Sequence, residues 1–152
     1  MTQNCQRDSA RDIKTIGNGL YHYHTTINRL GQGVSGSVYL GWVGKDESNK
    51  IAIKVISRNS FIPADPKNEY EVKKSKKIIG YILSEIQCLK QISKHTIPYT
   101  LKMIDCKETQ NNIYLITEFC NNGSLIDQLK KTHYKAFPEK QAVEILYQII
   151  LG

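Results

Sequence analysis

The sequence has few of the features that mark secreted or membrane-bound proteins. Its four cysteines are scattered along the chain, and no two of them form a C-x-x-C pair: Cys5, Cys88, Cys106 and Cys120. This spacing favours neither a zinc site nor a disulfide framework, and it is typical of free thiols in a reducing compartment. We therefore predict a cytoplasmic location, with the nucleus as the alternative.

Long apolar runs are also missing. No stretch reaches the roughly 18 consecutive apolar residues that a membrane helix needs. The start of the chain, from Met1 to Lys14, is polar and charged and lacks the apolar segment of a signal peptide. Thr2 stands where the N-myristoylation pattern requires a glycine. We therefore expect no membrane as a partner.

Acidic residues are outnumbered by basic ones. The chain has 21 Lys and Arg against 14 Asp and Glu, which gives a formal net charge of +7. The densest basic run is Lys73-Lys74-Ser75-Lys76-Lys77, and no aromatic residue or nucleic-acid-binding motif is interleaved with it. A solvated helix start explains this run better than a binding surface does, so no nucleic-acid partner is predicted.

Glycines are concentrated at one informative place, the segment Gly31-Gln32-Gly33-Val34-Ser35-Gly36-Ser37-Val38. Three glycines spaced as G-x-G-x-x-G let the backbone turn tightly and bring its N–H groups close to phosphates. On their own these glycines are also compatible with an ordinary hairpin turn, and the same pattern marks dinucleotide-binding folds. The residues that follow must decide between these interpretations.

Those residues exclude two nucleotide-binding motifs. A dinucleotide-binding fold requires a helix at the third glycine and an acidic residue about 20 positions later. Residues 37–43 are instead β-branched and aromatic, as in a strand, and the region of the expected carboxylate offers Lys54. A Walker A loop aligned on Gly44-Lys45 would have Tyr39 at its first glycine and Asp46 at its Ser or Thr.

The remaining order is strand, glycine loop, strand, turn and a strand that carries one inward lysine. This order resembles the eukaryotic protein-kinase family, in which a G-x-G-x-x-G-x-V loop covers the ATP phosphates and the lysine of V-A-I-K contacts them. Here the second motif reads Ile51-Ala52-Ile53-Lys54. The resemblance covers about Tyr23 to Gly152. It implies an α+β fold with a kinase-like small lobe, a five-stranded antiparallel sheet plus one helix, followed by the first helices of a truncated large lobe.

The chain is accordingly divided into three segments. Residues 1–20 are predicted to be a polar N-terminal tail, residues 21–120 the small lobe with the hinge, and residues 121–152 the start of the large lobe. Apolar residues at three- and four-residue spacing predict an amphipathic helix from Ile78 to Ile92. The polar stretch from Phe61 to Lys74, which contains two prolines, is predicted to be the least ordered inner segment.

The resemblance implies which residues bind ATP. Lys54 would contact the α- and β-phosphates, and Glu85 would anchor its ammonium group. Glu69 and Glu71 are the rival anchors, but they fall in the polar segment before the apolar periodicity starts. The loop, the adenine slot, the hinge at Thr117-Glu118-Phe119-Cys120 and the ribose contact together give the predicted ATP-binding set: Leu30, Gly31, Gln32, Gly33, Val34, Ser35, Gly36, Val38, Ala52, Lys54, Thr117, Glu118, Cys120 and Ser124.

The catalytic motifs of the family are missing from this sequence. Neither H-R-D-x-x-x-x-N nor D-F-G occurs, and the chain ends at Gly152, in the helix that normally precedes the catalytic loop. Asp105 and Asp127 are not expected to replace the missing aspartate, because one ends a small-lobe strand and the other follows the hinge. No metal ligand is predicted in this chain, and Mg²⁺ would bind only in a full-length domain.

The predicted function is the ATP-binding portion of a protein kinase that, in the full-length domain, transfers the ATP γ-phosphate to proteins. Serine/threonine specificity is predicted because it is the commoner class, and the protein substrate is unknown. The alternative is a non-catalytic kinase-like module that binds a nucleotide or a protein.

Overall fold

The computed structural model describes residues 12–131 and 136–152. The predictions that concern residues 1–11, including Thr2 and Cys5, lie outside the described residues. The elements in chain order are β1 (Ile13–Ile16), β2 (Tyr21–His24), β3 (Arg29–Gly33), β4 (Gly36–Val43), β5 (Lys50–Ser57), a 3-10 helix (Arg58–Phe61), α1 (Glu69–Ile92), β6 (Met103–Glu108), β7 (Asn112–Glu118), α2 (Leu125–Lys131) and α3 (Glu139–Leu151).

All seven strands belong to one antiparallel sheet. Their order is β1-β2-β4-β5-β7-β6, and β3 pairs with β4 beside β2. The predicted α+β fold, an antiparallel sheet followed by helices, is confirmed. The expected count of five strands was too low, and the difference lies entirely at the N-terminal end.

The sequence pattern predicts one strand from Tyr23 to Asn28 that leads into the glycine segment, but the structure interrupts it, and this gives the first additional strand. Tyr23 of β2 pairs with Gly41, and Arg29 of β3 pairs with Tyr39. Between these two pairs the chain advances six residues from β2 to β3 but only two residues along β4. Four residues therefore bulge out between β2 and β3. Asn28 closes the bulge with a φ of 61°, a left-handed conformation that asparagine tolerates better than most residues.

The second additional strand is β1, which lies in the segment predicted to be a polar tail. Its residues pair with β2 from Ile13↔His24 to Ile16↔Tyr21. Ile16 is buried in the core, and Gly17 begins the tight turn to β2 with a φ of 63°. The polar composition of residues 1–20 concealed this short strand, because only one of its side chains is fully buried.

Alternation along the strands gives the sheet two covered faces. Ile51 and Ile53 of β5 belong to one core, whereas Ile56 belongs to a second core beneath α1. The buried members of the first core are Ile16, Tyr21, Tyr23, Ile51, Ile53, Tyr114 and Ile116. The buried members of the second core are Ile56, Ile82, Ile86, Ile113 and Leu115.

The first core is enclosed because the sheet curls. The Tyr21 hydroxyl on β2 donates a hydrogen bond of 2.8 Å to Asp105 Oδ2 on β6, although these strands lie far apart in the strand order. Lys107 Nζ lies 2.9 Å from the same oxygen. Burial, followed by the hydrogen bond and the charge of Asp105, raises the pKa of Tyr21 to about 12.

Helix α1 begins earlier than the apolar periodicity indicates. Asn68 caps it, because its side-chain oxygen accepts from the backbone N–H groups of Tyr70 at 3.0 Å and Glu71 at 3.4 Å. The segment predicted to be least ordered therefore includes the last residue of the 3-10 helix, Phe61, and the first turns of α1. The periodicity fails there because these turns carry the basic run, whose four lysines are exposed, as predicted.

The last helix, α3, presents apolar residues to solvent. It follows Pro138, which occupies the N-cap position, and the structure leaves its apolar side chains largely uncovered. The exposed members are Val143, Leu146, Tyr147, Ile149, Ile150 and Leu151. None of the helices in the described parts of the chain combines the length and the apolar character needed to cross a membrane.

Candidate functional site

Lys54 occupies an inner position of β5, the strand between β4 and β7. It pairs with Val38 on β4 and Leu115 on β7, and its side chain is 20% exposed. Because side chains alternate along a strand, Lys54 shares its face with Ala52 and Ile56, the face that α1 covers. The sequence therefore directs one lysine into the space between the sheet and the helix.

Glu85 of α1 meets this lysine. Lys54 Nζ donates to both carboxylate oxygens of Glu85, each at 2.7 Å. Glu85 follows Ile82 by three positions and precedes Ile86, so the buried face of the helix aims the carboxylate at β5. The pair is only partly buried, so its main effect is to fix the ammonium group, not to stabilise the fold.

The rival anchors bind elsewhere. Glu69 lies 3.4 Å from Lys73 on the same helix, as an exposed pair of the i,i+4 type. Glu71 accepts from the backbone N–H of Asp65 at 2.8 Å. Both belong to the first turn of α1, about four helical turns before Glu85. The structure thus brings together the predicted lysine and the predicted glutamate.

The glycine segment forms a tight hairpin between β3 and β4. Gly31 pairs with Val38 and Gly33 with Gly36, which leaves Val34 and Ser35 at the tip. Gly36 has a φ of +156°, and a Cβ placed on it would lie 2.2 Å from the Val55 carbonyl oxygen. The third glycine is therefore required by the packing of the strands themselves.

The first two glycines have no such packing reason. A Cβ on Gly31 would meet no atom within 4 Å, and one on Gly33 would meet only the Gly36 carbonyl oxygen at 3.9 Å. Neither residue has a positive φ. The backbone of the hairpin is thus open on the side where a Cβ would project, so another molecule can approach it closely.

A cleft of about 540 Å³ lies between the sheet and the residues that follow β7. Its residues come from every part of the predicted site except the glycine segment itself, residues 31–36. The lining consists of Leu30, Val38, Ala52, Lys54, Glu85, Leu89, Leu101, Leu115, Thr117, Glu118, Phe119, Cys120, Gly123, Ser124 and Asp127. The predicted residues Gly31, Gln32, Gly33, Val34, Ser35 and Gly36 are not among them.

The strand β7 ends at the edge of this cleft. Thr117 is buried, and its hydroxyl donates to the Glu118 carbonyl oxygen at 3.3 Å. The Glu118 N–H donates to the Lys102 carbonyl at 3.1 Å, while the Glu118 side chain accepts from the Lys102 N–H at 2.8 Å. These paired bonds fix the predicted hinge against the segment before β6.

Asp127 is a cleft residue that the sequence analysis set aside. Its Oδ2 accepts from the Ser124 hydroxyl at 2.5 Å and from the Ser124 N–H at 3.1 Å, and its own N–H donates to the Ser124 hydroxyl at 3.2 Å. These bonds from Ser124, and secondarily Lys130, lower the pKa of Asp127. The Ser-x-x-Asp spacing at a helix start was the signal that could have linked the two residues.

The cleft is also lined by residues that the sequence analysis did not assign to the site, and helix or strand periodicity explains the positions of two of them. Leu89 lies one helical turn after Glu85, and Leu115 lies two positions before Thr117 on the same face of β7. Leu101, Phe119 and Gly123 come from connecting segments, for which the sequence gives no comparable spacing rule. Within residues 12–131 and 136–152, no group of three or more His, Cys, Asp or Glu side chains is arranged to hold a metal ion.

Comparison with known proteins finds a matching protein family. The family model of the protein kinase domain matches residues 23–152. Serine/threonine-protein kinase ATG1 of Saccharomyces cerevisiae is 34% identical over 108 residues, which cover 71% of this chain and 10% of that protein. The same-named protein of Kluyveromyces lactis is 36% identical over 108 residues, with coverage of 71% and 11%.

Serine/threonine-protein kinase ULK3 of Homo sapiens is 31% identical over 121 residues, which cover 80% of this chain and 22% of that protein. The chain thus spans about a tenth to a fifth of the length of these curated relatives. The resemblance inferred from the glycine and lysine motifs is confirmed. Since the family model covers all of the sequence from Tyr23 onward, the chain belongs to the protein kinase family and forms part of a protein kinase domain.

Proposed function

We propose that this chain forms the ATP-binding part of a serine/threonine protein kinase. The observation that carries the proposal is Lys54, whose ammonium group Glu85 holds at 2.7 Å in the cleft beneath the glycine hairpin. Phosphoryl transfer depends mainly on positioning and charge neutralisation, so a cation held at a fixed place in a cleft is the feature it needs. Lys54 would contact the α- and β-phosphates.

The glycine hairpin supports a phosphate-bearing ligand. Among the described residues, no contact or backbone conformation requires Gly31 and Gly33 to be glycine. Close approach of phosphate oxygens to the backbone N–H groups supplies a reason. Gln32, Val34 and Ser35 would then take part through their backbone, and Gly36 would maintain the hairpin.

The apolar part of the cleft suits an adenine ring. Leu30, Val38 and Ala52 would cover one face of the ring, and Thr117 would limit the depth of the slot. At the edge, the Glu118 carbonyl would accept from the adenine amino group and the Cys120 N–H would donate to a ring nitrogen. The Glu118 N–H already binds Lys102, so the backbone here has a fixed orientation.

Ser124 and Asp127 are proposed to meet the ribose. The Ser124 hydroxyl is occupied by Asp127, so a ribose hydroxyl would have to share or replace that bond. Asp127 presents the ionised carboxylate, which accepts hydrogen bonds but donates none. We therefore assign the stronger ribose contact to Asp127, in addition to the predicted Ser124.

In the proposed reaction, a serine or threonine oxygen of a protein substrate bonds to the γ-phosphorus while the bond to the departing ADP oxygen breaks. The hydroxyl proton leaves to a base. The serine/threonine class is supported by the names of the relatives, ATG1 and ULK3. Protein kinases use Mg²⁺ with ATP, but the described residues offer no matching donor set, so we derive no metal-dependent step for this chain.

Nucleotide binding can be tested by displacement of a fluorescent ATP analogue. ATP should displace it at lower concentration than adenosine, and adenosine should still compete, because the proposed site reads both the base and the phosphates. Inorganic tripolyphosphate is the control for binding through charge alone, since the net charge of +7 attracts any polyanion. Equal displacement by tripolyphosphate and ATP, with none by adenosine, would contradict the proposal.

A variant with glutamine at Lys73, Lys74, Lys76 and Lys77 gives a second control. These lysines are exposed on α1 and do not line the cleft. ATP affinity should therefore stay within about twofold of that of the unchanged chain. A loss of ATP binding in this variant would assign the binding to the basic run and not to the cleft.

A further inference from the structure

The glycine hairpin has little packing of its own to hold it over the cleft. All five residues of β3 are exposed, and the tip residue Val34 is 93% exposed. On one side β3 pairs with β4, and at its N-terminal end it continues directly from the bulge of residues 25–28. The position of β3 therefore depends on how firmly that bulge is held.

Asp12 holds the bulge from a segment that precedes the part of the chain matched by the kinase family model. Its backbone carbonyl accepts from the Thr25 N–H at 2.9 Å and from the Thr25 hydroxyl at 3.1 Å. Its carboxylate accepts from the Thr26 hydroxyl at 2.6 Å. Asp12 thus accepts three hydrogen bonds from Thr25 and Thr26, the two residues at which the chain leaves the sheet after β2.

The far end of the bulge is tied to the sheet in turn. The Asn28 carbonyl accepts from the Leu40 N–H at 2.9 Å, and β3 begins at the next residue. Asp12 itself is anchored because β1 follows it directly, pairs with β2 over four residue pairs and buries Ile16. The chain of contacts runs from the core through Asp12 and the bulge to Leu30 and the glycine hairpin.

We propose that Asp12 is a positioning residue for nucleotide binding. By bonding Thr25 and Thr26 it fixes the bulge, and the fixed bulge holds β3 and the glycine hairpin over the cleft. The consequence for ATP rests on the function proposed above, whereas the consequence for the mobility of β3 does not. Asp12 touches no ligand in this scheme and acts only through the hairpin.

Amide hydrogen exchange of residues 29–33 tests the positioning role directly. Asp12→Ala removes the carboxylate and leaves the backbone bonds to Thr25, while Thr26→Val removes the matching hydroxyl with little change of shape. Each variant should speed exchange of the β3 amides about fivefold, as expected for the loss of one typical, solvent-exposed hydrogen bond. Exchange of the β3 amides in the double variant should be no faster than in either single variant. Thr26→Ser keeps a hydroxyl at this position, so its exchange should be as slow as in the unchanged chain.

Asp46→Ala is the matched control. Asp46 is an exposed aspartate whose side chain accepts two hydrogen bonds, from the Ser48 N–H at 2.8 Å and the Ser48 hydroxyl at 2.7 Å. It lies in the turn between β4 and β5, away from the hairpin tip. Its loss should leave β3 exchange unchanged, and exchange of the β5 and β7 amides should be unchanged in all the variants.

The ATP measurement completes the test. Asp12→Ala should weaken ATP binding about threefold, and Asp46→Ala should leave it unaltered. Unchanged β3 exchange in Asp12→Ala, or equally faster exchange in β3, β5 and β7, would overturn the positioning role. Faster β3 exchange in Asp12→Ala, together with failure of the unchanged chain to bind ATP, would support the positioning role and contradict the proposed function.

Discussion

At the scale of single residues, the three glycines of the hairpin have different physical roles. Gly36→Ala would force a Cβ to within 2.2 Å of the Val55 carbonyl oxygen, at a φ that L-residues rarely adopt. We expect it to lower the free energy of unfolding by more than about 2 kcal/mol. Urea unfolding measures this cost.

Gly31→Ala is the matched comparison, because its Cβ would meet no atom within 4 Å. Its free energy of unfolding should stay within about 0.5 kcal/mol of the original value, while its ATP affinity should fall. A Gly36→Ala chain as stable as Gly31→Ala would show that the hairpin packs differently from the structure described.

Tyr21 should make the free energy of unfolding depend measurably on pH in the alkaline range. Burial and the bond to Asp105 raise its pKa from 10.0 to about 12, so the folded state keeps the proton longer than the unfolded state does. The resulting stability is fully present below pH 10 and is lost as the pH rises toward 12. Tyr21→Phe has no such proton to lose.

The difference in unfolding free energy between the unchanged chain and Tyr21→Phe isolates this effect from other titrating groups. It should be constant between pH 7 and 9 and should shrink as the pH rises above 10. A difference that stays constant up to pH 12, or that grows, would contradict the raised pKa.

At the site, Lys54 and Glu85 were predicted from the resemblance to the protein-kinase family. The structure places their charged groups 2.7 Å apart. The Ser-x-x-Asp spacing could have linked Asp127 to Ser124, but the place of Asp127 in the cleft depends on how α2 leaves the hinge. That direction is a tertiary property, which no local spacing encodes. The roles of all these residues in ATP binding stay predictions.

At the scale of elements, α1 is held to the sheet by a narrow stripe. Ile82 is 2% exposed and belongs to the core beneath the helix, whereas its neighbour Leu83 is 59% exposed. Ile82→Ala should therefore cost about 2–5 kcal/mol of unfolding free energy, and Leu83→Ala should change it by less than about 0.5 kcal/mol. Similar costs for the two variants would mean that the helix is rotated relative to this description.

Most elements and their types were predictable from the sequence, but the start of α1 and the existence of β1 were not. The start of α1 was placed too late because its first turns carry charges where apolar periodicity would be expected, and a cap at Asn68 defines them instead. The strand β1 was missed because it buries a single side chain, Ile16. This strand is held by long-range contacts with the core, and the amino-acid composition of a segment does not reveal such contacts.

At the scale of the whole molecule, α3 carries an apolar surface that the rest of the described chain does not cover. Leu146 and Ile150 are more than half exposed and lie one helical turn apart. We expect the chain to bind a hydrophobic dye and to self-associate through this helix. Leu146→Lys with Ile150→Lys should reduce dye binding at least twofold without lowering the melting temperature, because neither side chain is part of a core.

The control for this surface is a variant with Tyr70→Lys and Leu83→Lys, which changes two exposed apolar residues of α1. It should reduce dye binding less than the changes in α3 do. A chain that remains monomeric at high concentration and binds no dye would contradict the exposed surface on α3.

The central claim is that Lys54 binds the phosphates of ATP, and a matched pair of lysine variants tests it most directly. Lys54→Met removes the cation in the cleft, whereas Lys50→Met removes an exposed cation from the first position of the same strand. By equilibrium titration, Lys54→Met should weaken ATP binding about tenfold and leave adenosine binding unchanged, since adenosine has no phosphates. Lys50→Met should leave both affinities unchanged. Equal ATP affinities for Lys54→Met and Lys50→Met would contradict the account.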